Sequence, residues 1–135
     1  MLNTYTITPQ TLITDEEIKF DVNSILTGCT TTHVVETGVI NLNKPGFYFI
    51  TFNGVVTTEE IEPVEVTMYK GSQAVPGAVA SANNTSGDIP YFSLSFSTIV
   101  RVKPCCCKQP TQITFKNSGV NATYDNVNVV VTKLC

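Results

Sequence analysis

Lys44-Pro45-Gly46-Phe47-Tyr48-Phe49-Ile50-Thr51-Phe52-Asn53-Gly54 reads as a β-strand that is apolar on both faces, opened by a Pro-Gly turn and closed by a glycine. In extended backbone Phe47 and Phe49 point one way while Tyr48, Ile50 and Phe52 point the other. A strand in a small sandwich needs one apolar face for its core. A second must be covered by another sheet, a neighbouring subunit or a partner. The stretch therefore predicts a β-sandwich that forms oligomers, with Phe47, Tyr48, Phe49, Ile50 and Phe52 divided between core and contact.

The rest of the chain fits a sandwich. Its 135 residues suit one domain that buries most of its apolar surface. Charged residues are only 14% of the total against 42% apolar, and the polar remainder is rich in Thr, Ser and Asn, a composition that favours strands and tight turns. A net charge of -3, with eight Lys plus Arg spaced singly, offers no basic stripe for nucleic acid. No apolar run approaches the roughly 20 residues of a membrane span. The N-terminus also lacks a basic start, apolar stretch and small-residue cleavage site, so neither membrane insertion nor classical export is expected. A role outside the cell would follow assembly inside a cell that later lyses.

Thr4 to Thr8 alternates before Pro9 breaks it, and Ile18, Phe20 and Val22 repeat at period two after Asp15-Glu16-Glu17. Val35, Val39, Ile40 and Leu42 follow, then the strand from Phe47 onward. Val64, Val66 and Met68 alternate with Glu65, Thr67 and Tyr69, and a small-residue strand turns at Pro76-Gly77. The cleanest alternation sets Phe92, Leu94, Phe96, Thr98, Val100 and Val102 against Ser93, Ser95, Ser97, Ile99 and Arg101. Ile113 with Phe115, and Val127, Val129 and Val131, supply the last strands, for a total of about eight to ten, the number a jelly roll requires.

Several of these blocks resemble a known family. Val39 through Pro45-Gly46-Phe47-Tyr48-Phe49 to Gly54 is similar to the Pro-Gly-x-Tyr-x-Phe strand of complement-type globular heads and tumour-necrosis-factor-like (TNF-like) jelly rolls. Val66-Thr67-Met68-Tyr69-Lys70-Gly71 with Val75-Pro76-Gly77 looks like the bacterial BclA-like group of spore exosporium filaments and Firmicute phage relatives. So do Ile99 to Cys107 and Tyr124-Asp125-Asn126-Val127-Asn128-Val129. The resemblance covers about the last hundred residues. It implies an all-β, TNF-like jelly roll that trimerises around its inner sheet and serves surface display rather than catalysis. The chain departs from the exosporium pattern in having no collagen-like Gly-x-x tract, and in carrying a cysteine triplet where a Gly-Asp turn is usual. In place of a stalk stands a lead segment, residues 1–27, with Tyr5, Ile7, Leu12 and Ile13 as connector residues, ahead of a jelly roll over 28–135. Such a segment could add a strand to a neighbouring trimer.

Cys105-Cys106-Cys107 is the most unusual element. In extended backbone Cys105 and Cys107 face one side and Cys106 the other, so the three cannot share one tetrahedral metal unless the loop curls. With Cys29 and Cys135 the count is five, so full oxidation leaves one thiol over or pairs it with another chain. Inter-subunit disulfides among Cys29, Cys105, Cys106, Cys107 and Cys135 rank first, reduced structural thiols next and a metal last, because His33 is the only imidazole. His33 has no nucleophile-and-base pattern around it and reads as an exposed or hydrogen-bonded loop residue. The acidic runs Asp15-Glu16-Glu17 and Glu59-Glu60-Glu62 lack the spacing of a calcium loop and read as solvated turns. No cofactor and no catalytic residue is expected.

Two functions remain open. The first is a non-enzymatic structural subunit, a homotrimer that stacks into a fibre or appendage on a bacterial spore surface. The second is a virion decoration or receptor-binding module whose loops grip a host receptor or surface glycan.

Overall fold

The computed structural model describes residues 1–84, 91–104 and 110–134. Eleven strands occur among them: β1 (Leu2–Tyr5), β2 (Gln10–Leu12), β3 (Val22–Leu26), β4 (Thr31–His33), β5 (Ile40–Leu42), β6 (Gly46–Thr57), β7 (Pro63–Lys70), β8 (Gln73–Asn83), β9 (Tyr91–Val102), β10 (Thr111–Asn117) and β11 (Ala122–Lys133). One sheet has the order β3-β1-β11-β6-β9, with β2 also paired to β11, and the other has β4-β5-β10-β7-β8. Every pairing is antiparallel. The chain crosses between the sheets at β3–β4, β5–β6, β6–β7, β8–β9, β9–β10 and β10–β11, which gives the jelly roll that the sequence predicts. The count exceeds about eight to ten because the runs around His33 and Pro9 split into short paired strands.

Period-two alternation decides which side chains enter the core. Tyr48, Ile50, Phe52 and Val56 of β6 face inward with Val127, Val129 and Val131 of β11, against Val64, Val66 and Met68 of β7 and Ile113 and Phe115 of β10. Phe52 stacks on Phe96 at 5.2 Å between ring centroids and on Phe115 at the same distance, so aromatic rings bridge the two sheets at mid-height. Burying each such ring stabilises the fold by roughly 1.5–3 kcal/mol.

Residues 1–27 are woven into the larger sheet of this chain. Leu2 pairs with Val131 and Leu26, Gln10 pairs with Tyr124, and Leu2, Leu12, Ile18 and Phe20 lie in the core. Asn117 secures the segment from the other side. Its fully buried amide Nδ2 donates to the carbonyls of Leu12, Ile13 and Val120, and its Oδ1 lies 2.9 Å from the Tyr124 hydroxyl. Burial, with the Glu65 carboxylate adding to it, holds the Tyr124 phenol well above its ordinary pKa.

Two local expectations need correcting. Pro76-Gly77 is not a turn between strands but part of continuous β8, where Thr67 pairs with Val79 and Tyr69 with Ala74 across a bulge. Pro76 has no N–H to offer a ladder and β8 is an edge, so a bulge there with Gly77 at φ 82° costs little. Of the two readings of His33, exposed or hydrogen-bonded, the second holds, but on a strand and not in a loop. It ends β4, and its ring is buried, at 5% exposure, edge-on to Phe20.

The sandwich has two distinct ends. Gly46, Lys70, Val102 and Lys133 lie at one: Gly46 pairs with Val102, Lys133 with Tyr48, and Lys70 Nζ donates to the Arg101 carbonyl. Thr57, Tyr91, Thr123, Ala122 and Asn117 mark the other, through Thr57–Tyr91, Thr57–Thr123 and the Asn117–Leu12 contact.

Candidate oligomerisation face

The outer face of the larger sheet, formed by alternate residues of β6, β9 and β11, carries the unexplained apolar surface. Phe47 and Phe49 project from it at 42% and 37% exposure, while their neighbours Tyr48, Ile50 and Phe52 are fully buried. Cross-strand register sets Phe49 beside Ile99 on β9 and Thr132 on β11, and Phe47 beside Arg101. Leu134 joins them, because its N–H donates to the Phe47 carbonyl at 2.7 Å. Ile99 and Leu134 are 56% and 53% exposed, so the four side chains form one apolar corner at the Gly46 end of the sheet. The Arg101 guanidinium lies over the Phe47 ring, 5.9 Å from its centre, a cation–π contact.

Toward mid-sheet the same face turns polar. Thr51 pairs with Ser97 and Asn53 with Ser95, and a groove of about 220 Å³ runs over these four and Phe96. An apolar corner beside a hydroxyl-and-amide centre is the composition of a protein contact, with dry anchors and a hydrated remainder.

Of the residues singled out from sequence, Phe47 and Phe49 lie on this face, and Tyr48, Ile50 and Phe52 lie in the core behind it. The Tyr48 hydroxyl donates to the Lys44 carbonyl at 2.6 Å, fixing the turn that enters β6, and burial raises its pKa. Sequence reading missed Ile99 and Leu134 as members of the face. Ile99 was legible as the one aliphatic residue on the serine side of β9, but only the register with β6 makes it a neighbour of Phe49. Among the connector residues, Leu12 is core, Tyr5 is half-buried on β1, and Ile7 and Ile13 project into solvent.

Cys29 is a free, exposed thiol in the loop between β3 and β4. Cys105, Cys106, Cys107 and Cys135 lie outside the described residues. His33 makes contacts suited to fastening strands: Nδ1 is 2.6 Å from Asn23 Oδ1 and Nε2 is 2.8 Å from the Thr37 carbonyl. Burial lowers its pKa below 6.5, against a smaller upward pull from the Thr37 carbonyl. No group of three or more His, Cys, Asp or Glu side chains among the described residues is placed to hold a metal.

No family model matches the chain, and no curated protein does. Solved structures do match along nearly its whole length. Eiger TNF from S. frugiperda superposes with a TM-score of 0.80 at 9% identity, covering 99% of this chain and 91% of that one. The globular domain of zebrafish complement 1qA protein gives 0.69 at 6% identity, covering 99% and 96%. PRD1 vertex protein P5 gives 0.57 at 17% identity, covering 99% of this chain and 72% of that one. The protein therefore has the jelly-roll fold of TNF-like and complement-type globular domains.

Proposed function

We propose that this chain is a non-enzymatic assembly subunit, whose larger sheet packs around a three-fold axis through the corner of Phe47, Phe49, Ile99 and Leu134. The observation that carries the reading is that exposed corner. Four large apolar side chains lie together at one end of the outer face, and such a surface is normally covered in the working protein. The TNF-like fold supports a trimer by analogy. The finer form of the reading is a BclA-like subunit whose trimers stack into a fibre on a bacterial spore surface. Residues 1–27 would serve as connector, exchanging β1 and β2 with a neighbour while keeping their contacts to β11. The cysteines would join chains through disulfides, and the exposed thiol of Cys29 supports that use.

Light scattering on the purified protein, with and without reductant, tests this. A particle near three times 14.7 kDa, or a multiple of that unit, is expected. A single-chain mass at all concentrations would remove the oligomer reading.

A virion decoration or receptor-binding module is the second reading. The likeness to a vertex protein favours it. It requires closed trimers with a measurable host-surface or glycan ligand, whereas a stacking subunit needs none.

A further inference from the structure

The ionic side chains of this sandwich are sorted by sign along its length. Lys44, Lys70, Arg101, Lys103 and Lys133 all stand at the Gly46 end, and among the described residues no carboxylate stands there with them. Lys44, Arg101 and Lys103 are exposed. The recorded partners of this group are a carbonyl and a ring, with Lys70 donating to Arg101 O and Arg101 lying over Phe47.

At the other end the sign reverses. Glu59, Glu60 and Glu62 are exposed on the loop from β6 to β7. Asp15 and Glu16 are held at Asn117 of the same end, where the Asp15 N–H donates to the Asn117 carbonyl and the Asn117 N–H to the Glu16 carbonyl. Asp125 pairs with Val55 two residues short of Thr57. Among the described residues, Lys19 and Lys116 are the cations of this half. Lys116 lies over the Tyr69 ring at 4.8 Å and pairs through its backbone with Glu17, so the acidic excess persists. Asp21 and Glu36 lie between the ends on the flank of β3 and β4. A notch of about 390 Å³ lined by Thr57, Thr58, Glu59, Glu60, Asn121 and Thr123 opens on the acidic end.

Strands as long as β6 and β9 span roughly 35–40 Å at about 3.3 Å per residue. That is several screening lengths at physiological salt, so the ends do not neutralise one another within one molecule. Like charges gathered at one end repel, and such a distribution is relieved when the opposite sign comes from outside. The molecule itself offers that opposite sign. A cyclic trimer with its axis along the strands would gather three basic ends on one face and three acidic ends on the other.

We propose that the two ends are halves of a longitudinal joint, in which the basic end of one copy docks on the acidic end of the next. The joint rests on the assembly-subunit reading above, but is separate from the lateral contact through Phe47 and Phe49. Because one surface meets a different surface, the contact does not close on itself and propagates as a fibre.

The test uses the full chain under reductant, so that disulfides do not hold particles together. Wild-type protein is expected to form large particles at about 20 mM salt and to fall at least tenfold in mass at about 500 mM, as the screening length shrinks from about 20 Å to about 4 Å. The Glu59→Lys/Glu60→Lys variant, with most of the net charge of its acidic end removed, and the Lys44→Glu/Lys103→Glu variant, with most of that of its basic end removed, should each stay unstacked at low salt. Mixed, they should join in pairs through the one intact end that each keeps, without growing into fibres. All four positions are exposed, and a thermal melt checks that each variant folds. Particle mass unchanged by salt, either variant stacking like wild type, or a mixture in which the two variants do not pair would overturn the joint. Discrete trimers throughout would do so while leaving the lateral contact standing. Salt-sensitive fibres of single chains would support the joint and overturn the trimer.

Discussion

His33 and Asn23 grip each other across the open flank of the sandwich, where β4 of one sheet lies beside β3 of the other. Asn23 Nδ2 donates to the His33 carbonyl at 2.9 Å, and Asn23 Oδ1 lies 2.6 Å from the imidazole Nδ1. A neutral ring has one N–H for two facing oxygens, Asn23 Oδ1 and the Thr37 carbonyl, so the contacts favour the cation. Burial opposes it and is the larger influence, lowering the folded pKa. The sign follows from linkage: the unfolded chain binds the proton more readily, so stability is fully present above the unfolded value near 6.5 and is lost as pH falls toward the lower folded pKa. Melting temperature should therefore drop between about pH 7.5 and 5.5, a window in which ordinary carboxylates stay ionised. His33→Gln should flatten that drop, and an unchanged slope in the variant would assign the pH dependence elsewhere.

The two faces of β6 should respond oppositely to truncation. Phe52→Ala removes a ring stacked on Phe96 and Phe115 and should cost the subunit about 3–5 kcal/mol in urea unfolding. Phe47→Ser with Phe49→Ser should change subunit stability by less than about 1 kcal/mol, since both rings are already partly in water. The same double change should weaken oligomerisation at least tenfold, about 1.4 kcal/mol. Sedimentation showing undiminished oligomers would remove the face from the contact.

Gly119 is required by closeness. A Cβ there would lie 2.6 Å from the Glu65 N and 2.7 Å from the Pro63 carbonyl, both backbone atoms that cannot swing aside. Gly119→Ala should cost about 1–3 kcal/mol, read as a lower denaturant midpoint. A wild-type midpoint would mean the turn after β10 moves freely.

Removing residues 1–10 takes β1 from between β3 and β11 and uncovers the core behind Leu2. The truncated protein should melt more than about 10 °C lower. On the connector reading it should also lose stacking while keeping trimers. Fibres that persist without the segment would sink that role.

The architecture was readable wherever one face of a strand is apolar and the other polar, as in β7 and β9, because burial enforces that alternation. The doubly apolar run of β6 gave both a core face and a surface awaiting cover. Tertiary detail was not readable in the same way. Asn117 looks like a turn residue, yet its amide satisfies three carbonyls and a phenol brought together only by the fold. Pro76-Gly77 carries turn chemistry and instead makes a bulge, because neighbouring β7 keeps its ladder going on both sides. His33 lacked any local cue to burial, since Asn23 and Phe20 reach it from ten or more residues away. The sorting of charge along the molecule is likewise invisible in a sequence where each lysine stands alone.

Strand β11 joins the two halves of the larger sheet, with β1 and β2 on one side and β6 on the other, and Leu2 meets its partner Val131 only across nearly the full length of the chain. A ribosome delivers that strand after every other described one. Until it emerges, the sheet has a gap at its centre, and the corner of Phe47, Phe49 and Ile99 lacks Leu134. Folding of the larger sheet must wait until β11 has been made, so a chain cut short before that strand cannot present the complete corner.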